Sequence, residues 1–126
     1  MMINVQKNSE PLDLSYLRDM SGDSAEFIIE MIDLFKSQTP IYMEELKLAL
    51  AEKDWAKVGA CAHKIKPTFT YVGREDAKEL MQLIENNARE RTDLESLPAA
   101  CEMIFAFSEV LYKQLDQAKS ELQKQL

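Results

Sequence analysis

Residues 55–73, with the sequence WAKVGACAHKIKPTFTYVG, determine the fold class of this chain. Apolar side chains recur in this stretch at spacings of three and four residues, which is the period of an α-helix with one buried face. The residues on that face are Trp55, Val58, Ala62, Ile65, Phe69 and Val72. Asp54 is a suitable N-cap for such a helix, and Gly73 is a suitable C-terminal stop. The stretch therefore predicts a helix with one buried side and one side in solvent.

Helical patterns continue on both sides of this stretch. Residues 24–52 show an apolar stripe interrupted by Pro40, which predicts either one bent helix or two nearly collinear helices. That stripe comprises Phe27, Met31, Leu34, Phe35, Tyr42, Leu46, Ala49 and Leu50. Residues 75–91 predict a helix with Ala77, Leu80, Met81, Ile84 and Ala88 on its buried side. Ser96 and Pro98 begin a last helix that can extend to residue 126.

Four long amphipathic helices with short connections predict an all-α fold, an antiparallel up-down-up-down four-helix bundle. A short extra helix, with Leu12, Tyr16 and Met20 on one side, is expected before the bundle, and the C-terminal helix is expected to be long. The 126 residues are the size of one domain, so we assign 1–126 to a single helical domain with a polar N-terminal arm at 1–11. Because four helices enclose one core, we expect a monomer.

Composition narrows the class of function. A net charge of -7 disfavours binding to nucleic acid, because that binding depends on Lys and Arg at the phosphates. The chain has neither an apolar run long enough to span a membrane nor a signal-peptide core, so we expect a cytoplasmic protein without membrane association. Cys61 and Cys101 form no CxxC pair and are expected to be reduced, buried thiols. The expected partner is a protein or a small molecule.

His63 is the only histidine of the chain. At 100° per residue it points roughly 130° away from the centre of the apolar stripe, so it should face solvent. Its same-face neighbours, three, four and seven positions away, are Ala56, Gly59, Ala60, Lys66, Pro67 and Thr70. All but the lysine are small, which indicates a low surface that another protein can approach. A surface histidine among small neighbours can also arise by chance.

Charge around His63 differs from that of the rest of the chain. Residues 53–74 hold five basic residues and one acidic residue, a net charge of +4, which leaves -11 for the other 104 residues. A basic segment beside the histidine favours an anionic group on the imidazole or an acidic pocket on a partner. A solvated helix face rich in lysine is the simpler alternative.

The sequence AHKIKPTFTYVG at 62–73 resembles the signature of histidine-containing phosphotransfer (HPt) domains, in which Ala-His-x-Leu-Lys-Gly is followed six residues later by Gly. His63, Ile65, Lys66 and Gly73 occupy matching positions. The stretch LDLSYLRDMSGD at 12–23 is similar to the opening of the family. LFKSQTPIYMEELKLALAEKDW at 34–55 is similar to its second helix and the following turn.

This resemblance implies a phosphorelay intermediate without autokinase activity. His63 would accept a phosphoryl group from a receiver-domain aspartate and pass it to another response regulator, and Lys66 would stabilise the phosphoryl oxygens. The surface for receivers, including that of a hybrid histidine kinase, would comprise Ala56, Gly59, Ala60, Lys64, Pro67 and Thr70. The chain itself would hold no cofactor or metal, and Mg²⁺ would belong to the receiver.

Two departures from the family pattern are Pro67, where the family has Gly, and Phe69, where small residues are common. A proline inside a helix removes an N–H and crowds the carbonyl four residues earlier, so the helix is expected to bend at His63.

Three alternative functions are weighed beside this one. The phosphoacceptor helix of sensor kinases usually has its proline five residues after the histidine and an acidic residue at the position of Lys64, so it fits less well. A helical adaptor without chemistry would not need both His63 and Lys66. Metal binding by His63 with Cys61 is disfavoured because the two point to different parts of the helix.

Overall fold

The structure is a computed structural model that describes residues 2–126. The described chain forms five α-helices without a β-strand: α1 Ser15–Ser21, α2 Ala25–Ala51, α3 Trp55–Tyr71, α4 Glu75–Glu90 and α5 Leu97–Gln123. Short 3₁₀-helices lie at Val5–Ser9 and Leu94–Ser96. The predicted all-α class is confirmed.

Helices α2 to α5 form the four-helix bundle. Helix α2 packs against α3 and α5, and α4 packs against the same two helices, with the most extensive contact between α3 and α4. Opposite helices also meet in the core, where the rings of Phe69 and Phe107 pack edge to face with centroids 5.4 Å apart. Phe69 is therefore a core residue, as its place on the apolar stripe of α3 predicted.

Local signals in the sequence set the ends of α2 and α3. The Ser24 side chain accepts a hydrogen bond from the Phe27 amide, and the Asp54 carboxylate accepts one from the Lys57 amide. Gly73 follows α3 with φ of +75°, and a Cβ atom there would lie 2.6 Å from the Asp13 carbonyl oxygen. Only glycine permits both this conformation and this close approach. The turn after α3 is thereby tied to the N-terminal segment.

Helix α2 runs through Pro40 as one helix, which decides between the two alternatives left by the sequence. The buried face of this helix is rotated from the predicted stripe. Apolar residues at 27–35 lie on two adjacent faces of the helix, and the face that is buried coincides only partly with the one that was predicted. Its buried residues are Ile28, Ile32, Phe35, Thr39, Met43, Leu46 and Ala49. Leu34, predicted to be buried, is exposed, so that part of the prediction is wrong. Helix α4 buries all five of the residues expected on its inner side.

The N-terminal segment also differs from expectation. Of the three residues expected on one side of the short helix, Leu12 is buried but precedes α1, whereas Tyr16 and Met20 are about half exposed. Leu14 and Leu17 join Leu12 in the core. The described part of the polar arm packs against the bundle, because the Gln114 side-chain amide donates hydrogen bonds to the Lys7 and Glu10 carbonyls. No helix within residues 2–126 has the length and apolar character needed to cross a membrane.

Candidate functional site

His63 lies on the solvent side of α3, and 63% of its side chain is exposed. This agrees with the orientation predicted from the helical stripe. Its Nδ1 atom lies 3.1 Å from Oε2 of Glu85 on α4. A carboxylate can only accept a hydrogen bond, so Nδ1 is the donor and the neutral ring keeps its lone pair on Nε2. The site therefore presents an exposed imidazole with a defined tautomer.

Glu85 is the centre of this site, with only 5% of its side chain exposed. Its Oε1 accepts a hydrogen bond from Lys66 at 2.8 Å, and its Oε2 is shared between His63 and Arg89, the latter at 3.0 Å. Burial by itself would raise the pKa of Glu85. The hydrogen bond from Lys66 and the charges of Lys66, Arg89 and His63 outweigh burial, so the pKa lies below its ordinary value. The carboxylate is therefore ionised near neutral pH.

Lys66 is held between α3 and α4, one helical turn after His63. Its Nζ donates to Oε1 of Gln82 at 2.6 Å and to Glu85, and its side chain is 17% exposed. The family resemblance implied only that Lys66 would stabilise phosphoryl oxygens beside the histidine. The structure places there a lysine whose charge is balanced by a buried carboxylate.

The surface around His63 contains five of the six residues expected to meet a partner. Ala56, Ala60, Lys64 and Pro67 are exposed and Thr70 is half-buried. Gly59, the sixth residue expected to meet a partner, is buried because the Arg89 side chain of α4 lies over it.

The basic segment is less basic at the surface than its sequence suggests. Arg74 is 2% exposed and pairs with Asp76, so it does not contribute to the face around His63. Lys64 pairs with Glu45 of α2 at 3.2 Å and lies over the Tyr42 ring. The hydrogen bond to Glu45 raises the pKa of Lys64. The exposed positive charge beside His63 therefore comes from Lys64 on one side and Arg89 on the other.

Pro67 lies within α3, which continues to Tyr71. The proline therefore does not end the helix, although it provides no N–H for the His63 carbonyl. Its ring is exposed one turn beyond the histidine.

A family model described as "Hpt domain" matches residues 30–125, which include α3, α4 and the whole of the site. The chain belongs to the Hpt domain family. Membership implies histidine phosphotransfer in two-component phosphorelays, in which such domains are phosphocarriers that interact with receiver domains. Comparisons with curated proteins and with solved structures gave no significant match.

Sequence reasoning missed three side chains of this Hpt domain that lie on α4, namely Gln82, Glu85 and Arg89. The signal for Glu85 was present, because it follows Met81 by four residues and thus lies on the apolar stripe of α4. An acidic residue on a buried face requires a charged or hydrogen-bonding partner. The sequence could not say that the partners are on α3.

Both thiols of the Hpt domain are buried and free. Burial and the charge of neighbouring Glu102 raise the pKa of Cys101 to about 12. Burial and the charge of Glu45 also raise the pKa of Cys61. The thiols are therefore protonated and serve as small apolar side chains.

Proposed function

We propose that this Hpt domain carries a phosphoryl group on Nε2 of His63, accepts it from the aspartate of one receiver domain and passes it to another response regulator. The observation that carries this proposal is the 3.1 Å contact between Nδ1 of the exposed His63 and the buried Glu85 carboxylate. That contact fixes the proton on Nδ1 and leaves Nε2 as the nucleophile.

Transfer begins when the Nε2 lone pair attacks the phosphorus of the receiver's aspartyl phosphate. The N–P bond forms as the P–O bond to the aspartate breaks, and the electron pair of that bond leaves with the aspartate carboxylate. The proton stays on Nδ1, so the ring becomes positively charged, and the Glu85 carboxylate stabilises this charge. The same steps in reverse deliver the phosphoryl group to the next receiver.

Lys66 assists through its position one turn from His63. Its ammonium group is held in place by Gln82 and Glu85. Little side-chain entropy would therefore be lost when it interacts with the phosphoryl group during transfer. A cation on this side stabilises negative charge on the phosphoryl oxygens as they move between donor and acceptor.

The surface fits the approach of a receiver domain. The exposed side chains of Ala56, Ala60 and Pro67 are small, so they do not obstruct a domain that approaches the imidazole. Lys64 adds a positive charge that is complementary to an acidic pocket. We assign Mg²⁺ to that receiver pocket, where it would neutralise charge on the phosphoryl oxygens. We further propose that the Hpt domain acts as a cytoplasmic monomer without kinase activity of its own.

The test is to incubate the protein with a radiolabelled phospho-receiver and Mg²⁺ and to follow label that is labile in acid and stable in base. Wild type should gain label, and His63→Gln should gain none while its melting temperature changes little, because the side chain is mostly exposed. Label that persists in His63→Gln would contradict the proposal. Receiver binding without label in wild type would support the adaptor alternative.

A further inference from the structure

Arg89 is a second cation beside His63, and the phosphotransfer proposed above does not use it. It lies on α4, one turn beyond Glu85, with Nη1 3.0 Å from Oε2 of that glutamate. The same oxygen lies 3.1 Å from Nδ1 of His63, so Nη1 of Arg89 and Nδ1 of His63 are at most about 6 Å apart. The proposed phosphoryl position is Nε2, which one ring carbon separates from Nδ1, so Arg89 would reach phosphoryl oxygens there by turning away from Glu85.

Gly59 provides the space for this arrangement. It precedes His63 by four residues and thus lies one turn away on the same face of α3. A Cβ atom at Gly59 would lie 2.9 Å from Cγ and 3.3 Å from Nε of Arg89, closer than side chains normally pack. Glycine is unfavourable inside a helix, and here its missing side chain lets the arginine lie across α3 next to the histidine.

Solvent exposure distinguishes Arg89 from Lys66. The Lys66 side chain is 17% exposed and has two hydrogen-bond partners on α4, whereas the Arg89 side chain is 51% exposed. About half of the guanidinium side chain is thus already in contact with solvent, and Lys66 would remain as the counterion of the buried Glu85 carboxylate if Arg89 turned away. Arg89 can therefore leave Glu85 without leaving that carboxylate unpaired.

Phosphorylation of His63 would change the balance of charge around Arg89. In the unphosphorylated site one carboxylate, Glu85, balances two permanent cations. A phosphoryl group adds close to two negative charges, and a guanidinium can bind its oxygens with two parallel hydrogen bonds. We propose that Arg89 is a phosphoryl-binding cation, which turns from Glu85 to the phosphoryl oxygens when His63 is phosphorylated. This inference rests on the proposed function.

The experiment compares Arg89→Gln, Arg89→Lys and Gly59→Ala with Arg91→Gln, which removes the same charge from an exposed position two residues further on. Two quantities are measured for each variant. One is the rate of transfer from a phospho-receiver. The other is the pH midpoint for protonation of the phosphoryl group, followed by ³¹P NMR after phosphorylation of His63 with phosphoramidate.

Arg89→Gln should slow transfer by about threefold to tenfold, as expected for one partly screened charge, and should raise the midpoint because the dianion loses a cation. Gly59→Ala should change both quantities in the same direction although the arginine is still present. Arg89→Lys should recover most of the rate, and Arg91→Gln should match wild type.

Wild-type rates and midpoints in Arg89→Gln, on protein that does carry phosphohistidine, would overturn the role of Arg89 and leave the proposed function intact. A loss in Gly59→Ala without a loss in Arg89→Gln would overturn it as well, since the effect would then not pass through the arginine. If wild type formed no phosphohistidine with either donor, both the proposed function and this inference would fail.

Discussion

Glu85 is the residue on which the proposed chemistry of His63 depends, because this single buried carboxylate contacts the imidazole, the lysine and the arginine around it. Its pKa is lower than the ordinary value of 4.5, so the ionised form stabilises the folded state. This contribution is fully present above pH 4.5 and is lost as the pH falls through the lower pKa of the folded protein.

Glu85→Gln should lower the free energy of unfolding at pH 7 by about 1–3 kcal/mol, because Lys66 and Arg89 lose their counterion. The difference from wild type should shrink as the pH is lowered below 4.5, since the wild-type carboxylate is then itself protonated. Urea unfolding at pH 7 and at pH 3 measures both effects. Glu90→Gln, on the exposed side of the same helix, is the control and should change little. An equal loss in both variants would show that the site around Glu85 is not special.

Lys66→Ala should slow phosphotransfer by about tenfold or more and also reduce stability, because it removes one partner of a buried carboxylate. Lys47→Ala is a suitable control, since that lysine is exposed and pairs with Glu44 within the same helix. Transfer rates from one phospho-receiver, measured at matched salt, compare the two. If they slowed transfer equally, Lys66 would have no role beyond general positive charge.

Helix α3 contributes to both the core and the candidate site. One face buries Val58, Ala62 and Ile65 in the core, and the opposite face presents His63 to solvent. Pro67 lies on the exposed side, where a proline costs stability but keeps the surface low. The helix nevertheless continues past it, because packing of Phe69 and neighbouring residues secures the last turn.

Substitution of Pro67 should separate stability from docking. Pro67→Ala restores an N–H for the His63 carbonyl and should raise the free energy of unfolding by about 1–3 kcal/mol. Pro67→Gly should retain transfer, whereas Pro67→Glu should fold and yet transfer slowly, because it adds bulk and negative charge beside the proposed phosphoacceptor His63. Circular dichroism and transfer rates measure the two properties. Wild-type transfer by Pro67→Glu would show that receivers do not dock over this turn.

At the scale of the whole molecule, Arg74 connects the bundle to the N-terminal segment, which precedes the region matched by the family model. It is buried, donates to Asp76, Gln114 and Asn8, and lies over the Phe107 ring. Burial alone would raise the pKa of Asp76, but hydrogen bonds from Arg74 and from the Asn4 amide hold it below its ordinary value. The N-terminal segment is thus hydrogen-bonded to the bundle through Arg74 and Asp76.

Arg74→Met should lower the free energy of unfolding by about 3 kcal/mol, because it leaves the mostly buried Asp76 carboxylate without its counterion. Amide hydrogen exchange in residues 4–10 should accelerate, since their hydrogen bonds to Arg74 are lost. Arg18→Met, which removes an exposed ion pair with Asp23, is the control and should cost less than about 1 kcal/mol. Unchanged exchange in residues 4–10 would show that Arg74 does not hold this segment.

Properties that depend on near neighbours along the chain were determined by the sequence itself. These are the all-α class, the caps at Ser24 and Asp54, the stop at Gly73, the buried face of α4 and the exposure of His63. Each follows from helical periodicity or from hydrogen bonds within one turn, so no knowledge of other helices is needed.

The tertiary structure alone decided which side chains meet between helices. His63 and Glu85 are 22 residues apart in sequence, and their contact depends on the rotation and axial position of α4 against α3. The burial of Gly59 under Arg89 has the same origin. Packing likewise decided that α2 buries Ile28 and Ile32 and exposes Leu34. Both sets of residues recur with the period of a helix, and the neighbouring helices cover only one of the two faces.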